Sequence, residues 1–310
     1  MSPMRLFATQ LAQKIEATEG TKETLAAADC ILFLNGVFTP TIDQYQRNLL
    51  RGTLSRDPNV SGAQYAKMTF DVELVGSGTA GTAPYWGSLM KACGYSETVS
   101  GGVSVTYKPA TNSLSNSMTM ALFMDGVIKR MWGARGSVKL TAEIGKPGIL
   151  SFNFEGCNFE MVDGALLAPT YSTIVPPAFL NASLLVDAYA AVVSKIEIDT
   201  ANKLDKRPSI NTTSGYLSTL ITARDPKGSM DPELCLKATY DFYGKWLTPG
   251  TLGSLSFAAT GAAGNIITVT CPKVRSVNIS DKDRGGVRAL GWDFQPCLNA
   301  GDDEISIVLT

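Results

Sequence analysis

Four carboxylates at alternate strand positions are the residues of this chain best placed for acid–base chemistry. Asp71 and Glu73 share one strand face, as do Glu197 and Asp199, and paired acids in a β-rich chain can serve glycoside hydrolysis. The ordinary reading is a solvated face, because catalysis needs a second acid at a defined separation. The chain contains no histidine, which excludes Ser-His-Asp and Cys-His nucleophiles and histidine-ligated zinc. Its cysteines, Cys30, Cys93, Cys157, Cys235, Cys271 and Cys297, form no C-x-x-C pair and read as buried free thiols. Asp302-Asp303-Glu304 lacks the spacing of a calcium loop and reads as a turn before the last strand. The glycine-rich run from Gly76 to Gly81 is followed by no Lys-Ser or Lys-Thr and reads as a flexible loop, not a phosphate cradle. Neither an enzymatic activity nor a metal or cofactor is expected.

The chain has 310 residues, 45% apolar and only 18% charged, with 29 glycines. That length accommodates two domains, each able to bury a core, and the sparse charge fits a subunit that hides surface against neighbours. Basic residues number 27 against 28 acidic, for a net charge of -1. Tight nucleic-acid binding needs clustered Lys and Arg to displace phosphate counterions, so DNA is not expected to be held by charge. Without an apolar run of ~20 residues or a signal-like N-terminus, neither membrane insertion nor export by a leader is expected, and the chain reads as made in the cytoplasm.

The elements that must position these residues are strands. Period-two alternation runs through Met68, Phe70, Val72 and Leu74, through Val103, Val105 and Tyr107, and through Met118, Met120 and Leu122. It continues in Val138 and Leu140, in Leu150, Phe152 and Phe154, and in the segments 266–270, 274–279 and 287–294, as antiparallel sheets require. One helix is predicted at Pro84 to Ala92, with Trp86, Leu89 and Met90 on one face and Gly94 as its stop. Residues 1–27 read as a polar N-terminal arm, a short helix or an extended segment that is mobile without a partner. Two stretches, Gly36 to Ala66 and Asp199 to Pro232, show little alternation and read as long functional loops.

Short motifs recur. Lys67, Thr69, Phe70 and Asp71 are echoed by Lys237, Thr239, Tyr240 and Asp241, which places a strand at Cys235 to Phe242. Phe152-Asn153-Phe154-Glu155 with Cys157 is echoed by Trp292-Asp293-Phe294-Gln295 with Cys297, and Arg56-Asp57-Pro58 by Arg224-Asp225-Pro226. Together they suggest a duplicated domain whose second copy is about 30 residues shorter between its motifs. The division follows as an arm at 1–27, a first domain at 28–165, a Pro-rich linker at 166–180 and a second domain at 181–310.

Candidate subunit contacts follow from the loops and the tail. Tyr45, Arg47, Arg51, Arg56 and Asp57 lie on the first loop, and Lys203, Lys206, Arg207, Arg224 and Asp225 on the second, where charge can set register against a neighbour. Ile305, Ile307 and Leu309 alternate in a terminal strand whose free edge could extend a neighbour's sheet.

The run Lys-Met-Thr-Phe-Asp-Val-Glu-Leu-Val-Gly-Ser-Gly at 67–78, with Ala-Pro-Tyr-Trp-Gly-Ser-Leu-Met-Lys-Ala-Cys-Gly-Tyr at 83–95, resembles the major tail tube proteins of long-tailed, siphovirus-like bacteriophages. Asp125-Gly126, the segment 133–138 and Gly-Lys-Pro-Gly-Ile-Leu-Ser-Phe-Asn-Phe-Glu-Gly at 145–156 extend the resemblance over most of the first half. The second half joins it only through the internal echoes. The resemblance implies a mainly β chain of two tandem β-sandwich or half-barrel domains, placed in the virion tail. It implies stacked rings, trimers mimicking hexamers, with long loops reaching the adjoining ring and a lumen for DNA ejection. Tape measure, distal tail and terminator proteins are the implied partners, and a tail-tip module binding a host surface ligand is the alternative.

Overall fold

The computed structural model describes residues 4–113 and 116–310. The first part of the chain contains β1 (Thr9–Ile15), β2 (Cys30–Ile31), β3 (Leu34–Tyr45), β4 (Val60–Glu73), α1 (Gly87–Ala92), β5 (Tyr95–Ser100) and β6 (Ser104–Pro109). There follow β7 (Met118–Met124), β8 (Gly126–Glu143), β9 (Ile149–Gly156) and β10 (Asn158–Gly164). The second part contains β11 (Leu185–Val186), β12 (Lys195–Asp199), β13 (Asn202–Pro208), β14 (Tyr216–Arg224), β15 (Lys227–Met230) and α2 (Phe242–Leu247). It closes with β16 (Gly253–Ala259), β17 (Ile267–Arg284), β18 (Val287–Pro296) and β19 (Ser306–Leu309). The chain is mainly β, as its alternation requires.

One run of eight antiparallel strands crosses both parts in the order β3-β4-β9-β8-β12-β15-β18-β17. Its inner face is apolar: Met68, Phe70, Phe152, Phe154, Leu140, Ile196, Ile198, Met230, Trp292 and Phe294 belong to one buried cluster. Phe70 stacks on Phe152 and Phe154 at 5.5 and 6.0 Å, and Trp292 packs on Phe294 at 5.0 Å. The other face carries the intervening polar residues, Asp71, Glu73, Glu197 and Asp199 among them.

The two longest strands each serve two neighbourhoods. The first half of β8 lies between β7 and β10, and its second half between β9 and β12. The first half of β17 lies between β16 and β19, and its second half pairs with β18. Gly285 and Gly286, at φ 64° and 88°, link β17 to β18 in a two-residue turn, which needs positive φ at both central positions.

Several sequence expectations change here. The polar lead-in is neither helical nor loose over residues 9–15: β1 pairs with β7 along its whole length and with β2. The predicted helix starts at Gly87 and not at Pro84, whose carbonyl accepts from the Gly87 amide in a preceding turn. The first long loop is a hairpin of β3 and β4 with only residues 46–59 unpaired. The second is a hairpin of β13 and β14, set apart from the main sheet. Both escaped the periodicity because, among the described residues, β3, β13 and β14 reach the main core only at Phe38.

The segment 235–242 is not a strand. It turns into α2, where Asp241 caps the helix by accepting the Gly244 amide at 2.7 Å, the ordinary use of Asp at that position. The strand that pairs with β18 as β4 pairs with β9 is β15: Phe70 faces Phe152 and Met68 faces Phe154, while Met230 faces Trp292 and Gly228 faces Phe294. The structural counterpart of Lys67-Met68-Thr69-Phe70-Asp71 is therefore Lys227-Gly228-Ser229-Met230-Asp231. By the same register Arg224 answers to Gln64 and not to Arg56, so only the Phe152 and Trp292 motifs coincide as read.

Candidate assembly surface

The sequence-selected contact residues fall into a free group and an engaged group. On the first hairpin Tyr45 ends β3 and is exposed, and Arg51 pairs with Asp57 at 2.9 Å within the tip. Arg47 and Arg56 make no side-chain ion pair or hydrogen bond among the described residues. The second hairpin is folded onto the first part of its own chain. Lys206 donates to Glu155 at 2.5 Å and stands 3.8 Å over the Tyr65 ring. Burial alone would raise the Glu155 carboxyl, but Lys206 and Lys67 overcome it and hold it below the ordinary carboxylate value. Tyr216 meets Tyr65 edge-on at 6.4 Å, and the Thr219 carbonyl accepts from the buried Arg135 guanidinium.

Most of the remaining charges in and beside this hairpin are also used within the chain. Arg224 reaches Asp302 at 2.6 Å and Glu304 at 3.3 Å, so the acidic cluster before β19 anchors an arginine. Asp303 accepts from the amides of Asn299, Ala300 and Gly301, as a turn-closing aspartate does. Lys203 pairs with Asp205, Asp225 accepts from Gln295 at 2.7 Å, and Arg207 is exposed on β13.

The terminal strand is not a free edge. Ile307 and Leu309 lie between β17 on one side and β6 on the other, and both are buried with Ile305. A sequence pattern shows a strand's faces but not its lateral partners, so the β5–β6 hairpin that covers this edge was not legible. The open edges are elsewhere. Among the described residues β3 pairs only with β4, and beyond its contact with β19 the second half of β17, residues 275–284, has β18 as its one strand neighbour, with α2 touching it where Trp246 donates to the Val277 carbonyl and Tyr243 to Asp281. These are the two ends of the eight-strand run.

Within the run the two parts meet where β12 adds to β8, Ile198 opposite Leu140 and Glu197 opposite Thr141. The joint is braced by Lys139 and Lys195, each 2.7 Å from Glu197. The pairing register repeats with a constant offset of 160 positions. Thr39 faces Lys67 and Asp199 faces Lys227; Ile42 faces Gln64 and Asn202 faces Arg224; Tyr45 faces Val60 and Asp205 faces Leu220. Even the bulge between the last two pairs recurs in place.

A family model for phage tail tube proteins matches residues 7–309. The chain belongs to that family. It is thus a structural subunit of the tail tube, a component of the virion tail, and self-association and contact with other tail proteins come with membership. No curated protein matches the chain. No helix among the described residues is long and apolar enough to cross a membrane. The acids first singled out fit this structural role, since Glu197 is held in the joint by two lysines and Asp71 accepts from Asn35 at 2.9 Å.

Proposed function

We propose that this tail tube protein forms rings of three chains, each supplying two similar units, and that stacked rings make the conduit for DNA ejection. The observation that carries the reading is the β8·β12 joint, an intramolecular sample of the contact a ring repeats. The 160-position offset relates β3 to β12, and the shared register on β9 and β18 relates the second half of β8 to that of β17. Applying the joint between copies lays Val37–Thr39 of one chain antiparallel to Ser280–Lys282 of the next. Free edges that close by rotation produce a ring and no dangling strand.

The two units run over 28–165 and 181–310 with 166–180 between them, and β1 belongs with the first. The pairing β1·β7 is matched by β11·β16, and α1 by α2. Lys67 to Cys157 spans 90 residues and Lys227 to Cys297 spans 70, the second unit having no counterpart of the β5–β6 hairpin among the described residues. The polar face of the eight-strand run lines the lumen. It presents Lys67, Lys139, Lys195, Lys227, Lys282, Arg135, Arg275 and Arg284 against Asp71, Glu73, Glu143, Glu155, Glu197, Asp199, Asp231 and Asp293. A face whose cations are matched by carboxylates offers DNA no positive cluster and spares it the counterion exchange that would slow it.

Stacking uses the hairpin tips. Leu50 at 103% and Ile210 at 99% relative exposure occupy matching positions, apolar contacts for the adjoining ring. Tape measure, distal tail and terminator proteins close the tube at its core and ends. Native mass spectrometry of the concentrated protein tests the stoichiometry. Ring species of three chains support the reading, and species of six or only monomers oppose it.

A further inference from the structure

The ring reading turns Leu50 at the tip of the first hairpin toward the adjoining ring but leaves open which surface of its own ring the hairpin rests on, and its twin supplies the answer. In the second hairpin the tip is zipped, Lys206 facing Thr219, and it rests on the first unit through Arg135, Glu155 and Tyr65. In the first hairpin residues 46–59 match 206–219 but carry no strand pairing and are largely exposed. Leu54 is 106% exposed where its counterpart Ser214 is 1% exposed. The first tip has the length of the second but lacks its platform.

The matching platform is on the second unit. Arg135 faces Glu155 across β8 and β9 as Arg275 faces Gln295 across β17 and β18, and Tyr65 corresponds to Asp225. Arg275 is exposed and its guanidinium has no partner among the described residues. Substituting counterparts turns each intramolecular contact into a chemically sensible one between copies. The Tyr216 and Tyr65 pair becomes Arg56 and Asp225, the Lys206 and Glu155 pair becomes Gln46 and Gln295, and the carbonyl of Thr219 on Arg135 becomes that of Asn59 on Arg275. Neither the cation nor the carboxylate in the new ion pair was placed there by the register rule. Complementary types arising at two paired positions are what an interface requires.

We propose that the first hairpin embraces the second unit of the next copy in the same ring, with Arg56 paired to Asp225 and Arg275 donating to the Asn59 carbonyl. Docking orders the tip, zipping Gln46 opposite Asn59, and removes Leu54 from water. The occupant of this surface is a second copy of this chain, and the inference rests on the ring reading above.

The test uses the full chain carrying a photo-crosslinking amino acid at position 56, mixed as normal and heavy-isotope protein, with electron micrographs of the same sample. Expected are mixed-isotope cross-links from position 56 to the segment around Asp225. The charge reversals Arg56→Asp and Asp225→Arg should each raise the concentration needed for rings by about tenfold, and the double reversal should restore assembly. Rings in which position 56 links elsewhere, or a double reversal no better than the singles, overturn the docking and leave the tube reading intact. Absence of rings under all conditions overturns both.

Discussion

Glu197 on β12 lies 2.7 Å from Lys139 on β8, across the joint through which each part of the chain continues the other's sheet. Burial alone would raise this carboxyl, but Lys139 and Lys195 hold it below its ordinary value of 4.5. A depressed folded value means stability that is present above 4.5 and is lost as pH falls through the folded value. Urea unfolding at about pH 7 and about pH 4 should show this loss in the parent chain and a smaller one in Glu197→Gln.

The lateral contact can be blocked at one backbone amide. The pair Arg284 and Val287 closes a two-residue turn, so alternate residues of β17 point their main-chain groups away from β18, and Asp281 directs its N–H to the open edge. Asp281→Pro removes that donor on an edge strand, where proline is tolerated. The variant should remain folded by circular dichroism and fail to form rings in sedimentation velocity; rings at parental concentration would count against the β3·β17 contact.

Axial contact should separate from lateral contact at the hairpin tips. Leu50→Glu and Ile210→Glu place charge on two fully exposed apolar positions that support no fold contact. Single rings should persist while stacks shorten or vanish in micrographs, because an unpaired buried charge costs several kcal/mol, roughly 3–5, at each ring-to-ring contact.

The core crosses the middle of the chain, and its truncation should be felt throughout. Phe154 is fully buried beside Phe70 and Phe152, so Phe154→Ala should lower unfolding free energy by about 3–5 kcal/mol. Phe70, Phe154 and Trp292 share one cluster, so denaturant unfolding followed by Trp fluorescence should remain a single transition shifted to lower denaturant.

Sequence patterns revealed the strands with one wet face and one dry face. Val138, Leu140, Phe152, Phe154, Trp292 and Phe294 alternate because a core lies on one side only. Among the described residues β3, β13 and β14 touch the main core only at Phe38, so their residues follow no such alternation and read as loops. The Lys237 echo failed for a different reason. Lys237-Ala-Thr-Tyr-Asp matches Lys67-Met-Thr-Phe-Asp by residue type, but Asp241 is spent on a helix cap, while the segment that pairs with β18 as β4 pairs with β9 is Lys227-Gly-Ser-Met-Asp, with Met230 where β4 has Phe70. Lys206 and Arg224 looked like contacts for another subunit because their partners Glu155 and Asp302 lie far off in sequence. Arg275 drew no attention, since its significance comes only from facing Gln295 as Arg135 faces Glu155.

Electron microscopy of the concentrated recombinant protein, with class averages viewed down the axis, tests the central claim most directly. The account predicts stacked rings with six lobes, three chains in each, and a wall in which β17 of one chain runs beside β3 of the next. Discrete monomers that never stack, or rings in which each chain contributes a single lobe, would contradict it.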